Sequence, residues 1–395
     1  MKIHQTRNRV LALVALAGLS VYILACTSFS PDDSKVLFPA FDSGSGAIGM
    51  AVYDRETRRS EMLFVPVAYA QGQTNTMAPA FMRGQWMDRG RQILLAYALA
   101  KDDDNSEINL LVLPSSGKGP TKLLRLPNLK DVASSLVMPL CVVNNRVFLQ
   151  TAPHEIVRVD LHTGIQARHE FADAVNEVNL FPSPDGTRLF YFESLENPDK
   201  GVSFGTVNPE DFSRTLLMRM TNGIPNGALP ACDSQGKVLA LLQAGGATNQ
   251  LAVWREGKPV FTRAFGSPGV EWSFGSAAIS SKGDKLWATF QKKTPGTNAV
   301  SYGLVEVPFS DAAIRETVLL SAIRRTGDAD AVYFQGSVSH DGKTAAVAST
   351  LLALGEKNFS ASDCALFLVD LASPDRKVTK VPIPLPPAGS MPVSK

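Results

Sequence analysis

One short segment limits the possible folds of this 395-residue chain more than any other: Ser183-Pro184-Asp185-Gly186, followed at once by Thr187-Arg188-Leu189-Phe190-Tyr191-Phe192. Each residue has a mechanical reason. Pro184 presets φ for a turn, the Asp185 carboxylate accepts a hydrogen bond from a backbone N–H two residues on, and Gly186 takes a positive φ that other residues resist. An apolar, β-favouring run then begins. Variants recur at Ser30 (SPDDSKVLF), Met87 (MDRGRQILLAY), Val143 (VNNRVFLQ), Asp233 (DSQGKVLALL), Ser280 (SSKGDKLWATF) and Ser339 (SHDGKTAAVAS), seven in all. With Asp33, Gly90, Asn145, Gly186, Gly236, Gly283 and Gly342 as turn markers, successive intervals are 57, 55, 41, 50, 47 and 59 residues.

A second strand signal follows each marker and ends in a turn rich in Asp, Pro or Gly. These segments are AVYDRETRR from Ala51, NLLVLPSSGKG from Asn109, IVRVDLHTG from Ile156, FGTVNPEDF from Phe204, LAVWREGKP from Leu251, YGLVEVPFS from Tyr302 and LFLVDLASPD from Leu366. Two different signals in the same phase, repeated at intervals of about 50 residues, match a four-stranded propeller blade. The expected fold is therefore all-β, a seven-bladed β-propeller with blades beginning near residues 27, 80, 135, 176, 227, 272 and 332. Helical repeats of this size would show apolar residues at i, i+3, i+4 and i+7, whereas 30 Gly and 25 Pro punctuate short runs here. Paired β-sandwiches have short strands too, but not this two-element phase.

The Ser-Pro-Asp-Gly unit with its following strand, joined to the Ile156 to Gly164 type of segment, resembles the WD40-like repeats of TolB-type periplasmic propellers. The resemblance covers nearly all of residues 30 to 383; it is weakest at Met87 and Val143, where the Ser-Pro-Asp start is absent. It implies a propeller whose activity is mainly binding.

Ring closure poses a question, because only Thr27 to Phe29 separate the first turn from the preceding leader. The expectation is that the tail segment Lys377-Val378-Thr379-Lys380-Val381-Pro382-Ile383 shares one blade with the N-terminal segment, which would remove exposed strand edges.

Residues 2 to 9 carry three basic side chains and are followed by Val10 to Ala25, VLALVALAGLSVYILA, too short for a comfortable membrane span and suited to a signal-peptide core. Residues 1–25 are thus expected to be an export signal, and 26–395 the propeller. Ile23-Leu24-Ala25-Cys26 resembles the lipobox of bacterial lipoproteins, with Leu24 a departure from the small residue usual there. That resemblance implies lipidation, including palmitate, at Cys26. Thr27 in place of Asp implies sorting to the outer membrane, facing the periplasm or the exterior. An uncleaved anchor, or ordinary cleavage with Cys26 a spectator, would export the chain equally.

Lys2, Arg7 and Arg9 belong to the leader, so 36 basic residues face 37 acidic ones beyond it. Without a dense basic run there is no footing for nucleic-acid binding. Cys141, Cys232 and Cys364 show no CxxC or metal-ligand spacing. Cys141 and Cys364 sit in apolar runs, so buried free thiols are expected, although an exported compartment would permit one disulfide.

Catalytic constellations are sparse. A GxSxG elbow is missing, and Gly44-Ser45-Gly46 reads as a small-residue loop. His154, His162, His169 and His340 fall at loops or strand ends and read as surface histidines. Asp102-Asp103-Asp104-Asn105-Ser106-Glu107 is an oxygen-rich run without the EF-hand glycine, explained equally by a solvated loop. Trp86, Trp254, Trp272 and Trp287 hold no fixed blade position; Trp254 and Trp287 read as core between blades. The segments from Ala68 to Trp86, with Met77, Phe81, Met82 and Trp86, and from Ala322 to Phe334, with Arg324, Arg325, Asp328 and Asp330, read as the longest loops. The first is a candidate partner surface or a plug against the propeller face.

The reading is an exported, lipid-anchored propeller acting as a binding or scaffold module for a cell-envelope protein or polymer, with no catalytic residue, metal or cofactor assigned. Its alternative is a propeller enzyme, a lactonase-like hydrolase or an oxidoreductase, with a metal or cofactor in the axial channel.

Overall fold

Strands that are buried on both faces must be largely apolar, and the two sets of seven strand-like runs found in sequence are the second and third strands of the seven blades. A computed structural model describes residues 27–42, 47–64, 82–100, 105–116, 122–130, 141–152, 155–171, 178–194, 202–220, 229–244, 248–294, 296–297, 299–323, 332–351 and 365–382. Blade 1 contains β1 (Ser28–Phe29), β2 (Lys35–Asp42), β3 (Ala47–Asp54) and β4 (Arg59–Phe64). Blade 2 contains β5 (Met82–Met87), β6 (Gln92–Ala100), β7 (Asn105–Pro114) and β8 (Lys122–Lys130). Blade 3 contains β9 (Cys141–Val143), β10 (Arg146–Ala152), β11 (Glu155–Asp160) and β12 (Gln166–Glu170). Blade 4 contains β13 (Val178–Pro182), β14 (Leu189–Ser194), β15 (Val202–Val207) and β16 (Arg214–Met220). Blade 5 contains β17 (Leu229–Cys232), β18 (Val238–Gln243), β19 (Asn249–Arg255) and β20 (Lys258–Phe265). Blade 6 contains β21 (Glu271–Ile279), β22 (Lys285–Lys293), β23 (Ala299–Pro308) and β24 (Arg315–Ile323). Blade 7 contains β25 (Val332–Val338), β26 (Thr344–Leu351), β27 (Ala365–Asp370) and β28 (Val378–Pro382).

Each blade is an antiparallel meander in chain order, and together they form the seven-bladed propeller. Its core is divided into seven apolar clusters, one per blade junction. Phe190 and Phe204 of blade 4, for example, pack with Leu239 and Leu241 of blade 5, and Trp287 and Tyr302 of blade 6 with Val347 and Phe367 of blade 7. Every blade therefore has two apolar faces, and full burial of a side chain such as Phe204 contributes about 2–3 kcal/mol.

All seven turn markers read from the sequence sit at positive φ between the first and second strands. In the Ser339 turn, Gly342 N–H donates to Ser339 O at 2.8 Å, Ser339 Oγ donates to Asp341 Oδ1 at 2.6 Å, and Thr344 N–H donates to Ser339 Oγ at 2.9 Å. In five blades the pairing of third and fourth strands shifts register, as between Phe204 and Gly205 and between Tyr302 and Gly303. Such bulges increase twist, which lets flat ladders sit as propeller blades.

The expected closure is corrected. The tail strand β28 pairs with β27 as the outermost strand of blade 7, and blade 1 makes its own innermost strand from two residues, Ser28 and Phe29, paired with Leu37 and Val36. Among the described residues no blade is shared between the two ends of the chain. Packing and polar ties join blades 1 and 7 instead. Phe29, Phe38 and Tyr53 cluster with Ala346, Leu366 and Val381. The Asp33 carboxylate accepts the N–H groups of His340 at 2.9 Å and Asp341 at 3.0 Å, while Thr27 Oγ1 donates to Gln335 O at 3.2 Å. Arg55 spans the seam, donating to Asp33 O at 2.7 Å and Thr344 Oγ1 at 2.9 Å.

Candidate functional site

Within each blade the first-to-second and third-to-fourth connections lie at one end of the strands, so the propeller has a face of mostly tight turns. The other connections join the opposite ends of the strands; several of them, residues 65–81 and 352–364 among them, lie outside the described residues.

The carboxylates on the tight-turn face are committed to the turns. Ser30 Oγ, and with it the N–H and hydroxyl of Ser34, hold Asp32 below the usual carboxylate range, and Ser339 Oγ does the same for Asp341, with Lys343 N–H and two nearby cations adding to it. Asp54 is lowered chiefly by the backbone N–H of Thr57, Asp160 by that of Thr163, and Asp211 by the Ser213 hydroxyl. In each case the hydrogen bonds favour the ionised form.

Cations tie neighbouring blades by binding turn carbonyls across the junction. Arg158 on β11 donates to Pro209 O at 2.9 Å and to Glu210 O in the next blade, and its guanidinium lies 5.1 Å from the centre of the Phe212 ring. Arg263 on β20 reaches Ser310 O at 2.9 Å and Ala312 O at 2.6 Å. Arg376 reaches back from blade 7 to Glu306 and stands 4.9 Å over Trp287, with burial pulling its pKa down against the opposing pull of Glu306.

Between blades 2 and 3 the same arrangement leaves a cavity of about 220 Å³ on the tight-turn face, lined by Met87, Gln92, Val112, Leu113, Lys122, Asn145, Leu161 and His162. Met87, Val112, Leu113 and Leu161 give it apolar walls; Gln92, Lys122, Asn145 and His162 bring polar groups. Lys122 Nζ donates to Leu161 O at 2.8 Å and to His162 O. This notch presents a cation and amides beside an apolar wall, a set able to bind an anionic group attached to an apolar body.

Of the residues singled out in sequence, Cys26, His154, Cys364, Met77, Phe81, Asp102, Asp103, Asp104, Arg324, Arg325, Asp328, Asp330 and the Gly44-Ser45-Gly46 loop lie outside the described residues. His162 is exposed at the notch, His169 stacks on Phe212 at 4.8 Å, and His340 Nδ1 lies 2.8 Å from Asp33 Oδ1, so the three do not converge. Trp86 is not a loop residue: it belongs to β5, is buried, and donates from Nε1 to Ser28 O at 3.0 Å, while Met82 begins the same strand. Asn105, Ser106 and Glu107 begin β7 rather than lying in a loop, and Phe334 lies within β25. Trp287 is core between blades 6 and 7, and Trp254 packs against the cluster between blades 4 and 5. Cys232 is a buried free thiol whose pKa is pushed up by desolvation, and Cys141 is also buried. Among the described residues no group of three His, Cys, Asp or Glu side chains stands ready to hold a metal ion.

The notch itself was not legible in sequence, because its lining comes from separate strands and turns of two blades.

No protein-family model and no curated protein matches the sequence. Among solved structures, the chain is similar to a putative 6-phosphogluconolactonase from Bacteroides fragilis, with 14% identity and a TM-score of 0.49 over 90% of this chain and 96% of that one. It is similar to TolB from Acinetobacter baumannii at 14% identity and TM-score 0.40, covering 87% of this chain and 80% of that one. The C-terminal WD40 domain of Sif2 gives 13% identity and TM-score 0.43, covering 88% of this chain and 82% of that one. The strand pairing alone establishes the seven-bladed ring, and these likenesses assign no residue a role.

Proposed function

We propose that this protein is an exported, lipid-anchored propeller that holds a cell-envelope protein or polymer against its surface. The observation that carries the reading is the junction of leader and ring: a signal-like segment ends at Cys26, and the very next residue, Thr27, is buried with its hydroxyl on Gln335 O. A lipid on Cys26 would then be attached with no linker, and two or more acyl chains make such anchoring stable. The chain enters β1 from the side of the longer connections, so that face is turned to the bilayer and the tight-turn face outward. The arginines that tie blade to blade, and the carboxylates committed to turns, favour a rigid platform over a reactive centre.

The test is in-cell crosslinking followed by affinity capture of detergent-solubilised protein, comparing wild type with Cys26→Ala. The expected result is one near-stoichiometric envelope protein captured with wild type and lost, together with membrane fractionation, in Cys26→Ala. Equal recovery from both, or none from either, would contradict an anchored scaffold.

A further inference from the structure

The first-to-second turns of blades 1, 6 and 7 close on the same two hydrogen bonds. Ser30, Ser280 and Ser339 each donate an N–H to the carbonyl of the residue five places on, Lys35, Lys285 and Thr344, and each accepts on its own carbonyl the N–H of the residue three places on, Asp33, Gly283 and Gly342. Those three stand at positive φ (58°, 65° and 71°). Blades 4 and 5 repeat the turn from Ser183 and Asp233, with Gly186 and Gly236 at the fourth place. Asp33 is the departure, an aspartate where the other four turns have glycine, in a conformation that Asp tolerates better than most side chains do.

The seam between blades 7 and 1 supplies the reason. The Asp33 carboxylate accepts the N–H of His340 on Oδ1 at 2.9 Å and the N–H of Asp341 on Oδ2 at 3.0 Å, and His340 Nδ1 lies 2.8 Å from Oδ1. His340 and Asp341 are the second and third residues of the blade 7 turn. Two successive backbone N–H groups at the tip of such a turn therefore form a seat for a carboxylate.

One junction earlier the same seat faces a glycine. Ser281 and Lys282 are the second and third residues of the blade 6 turn, and Gly342 holds the place in blade 7 that Asp33 holds in blade 1. A Cβ on Gly342 would have one neighbour within 4 Å, Ser281 Oγ at 3.5 Å, so Gly342 faces Ser281 as Asp33 faces His340. Among the described residues nothing accepts the N–H of Ser281 or of Lys282, and the Lys282 side chain is exposed and unpaired. The other junctions behind such turns lack this set. Pro31 and Pro184 bring no N–H to the second place, and a Cβ on Gly283 would meet Val238 rather than the tip of the blade 5 turn.

We propose that the Ser281–Lys282 turn on the tight-turn face binds a carboxylate, seated on the two N–H groups beside the Lys282 ammonium, and that its occupant is an Asp or Glu side chain of a protein partner. The propeller makes this clasp for itself with Asp33 and leaves the carboxylate to another chain at the next junction. The choice of occupant rests on the scaffold reading above; the site does not.

The site is tested by amide NMR spectra of isotope-labelled, detergent-solubilised full-length protein, titrated with acetyl-aspartyl amide and with acetyl-asparaginyl amide. The Ser281 and Lys282 signals should shift saturably with the aspartyl probe and not with the asparaginyl one, with affinity about threefold weaker in Lys282→Gln. They should stay still in Gly342→Asp, whose own carboxylate takes the seat. The His340 and Asp341 signals should be silent in wild type and respond in Asp33→Gly. Unmoved Ser281 and Lys282 signals, an equal response to both probes, or an undiminished response in a folded Gly342→Asp would overturn the site; if Gly342→Asp does not fold, the comparison of the two probes decides. The occupant is tested separately by crosslinking capture. Recovery of the envelope protein should fall in Gly342→Asp, and undiminished recovery would overturn a partner's acidic side chain as the occupant.

Discussion

Gly205 and Gly303 stand at the same kind of bulge, where the third strand of the blade gives way to a shifted register with the fourth. A Cβ on either would lie 2.2 Å from a backbone oxygen, that of Thr215 or Thr317, and within 3 Å of the ring of Tyr191 or Phe290. Backbone on one side and a core aromatic on the other leave nothing free to move. Gly205→Ala and Gly303→Ala should each cost about 2–3 kcal/mol in urea unfolding, by overpacking. The turn carboxylates make a second residue-level prediction. Asp32 and Asp341 have folded pKa values below their ordinary 3.8, with the Ser30 and Ser339 hydroxyls as the largest cause. Their stabilisation is complete above pH 3.8 and is lost as pH falls through the lower folded values. Unfolding followed from pH 5 down to about pH 2 should show a fall that is shallower in the double variant Asp32→Asn, Asp341→Asn. These turns were readable in sequence because Pro, Asp and Gly act locally; the bulge glycines were not, since their neighbours come from other strands.

Among elements, the second and third strands of every blade announced themselves because both of their faces are buried. The innermost and outermost strands did not. Leu216, Val260, Val318 and Val378 are exposed apolar residues on outermost strands, which spoils any inside–outside alternation. The innermost strand of blade 1 has only two residues, too few for any pattern, and this is why closure was misread. Phe29, buried in the cluster between blades 1 and 7, compensates for that short strand, and Phe29→Ala should cost about 3–5 kcal/mol. Asp33→Ala removes the acceptor of two blade 7 N–H groups and should cost about 1–3 kcal/mol. Differential scanning calorimetry checks both; an unchanged melting temperature for the pair would mean that the seam is held elsewhere.

At the scale of the whole molecule, seven junctions are built on one plan and differ in what fills them. The count and order of blades were legible from periodicity, while the contents of each junction emerge only when blades are compared in space. The same comparison separates the roles of the charged residues: carboxylates shape turns, arginines and Lys122 clasp the next blade, and one clasp stands over an open space. A ring tied in this way at most of its junctions suits the proposed platform held close to a surface. The proposed platform requires a lipid on Cys26. Mass spectrometry of the tryptic peptide ending at Lys35, from the membrane fraction, measures this directly. The account predicts a peptide that begins at Cys26 and carries the mass of a diacylglyceryl group and an amide-linked acyl chain. Recovery of Cys26 unmodified, or still joined to Ala25, would contradict it.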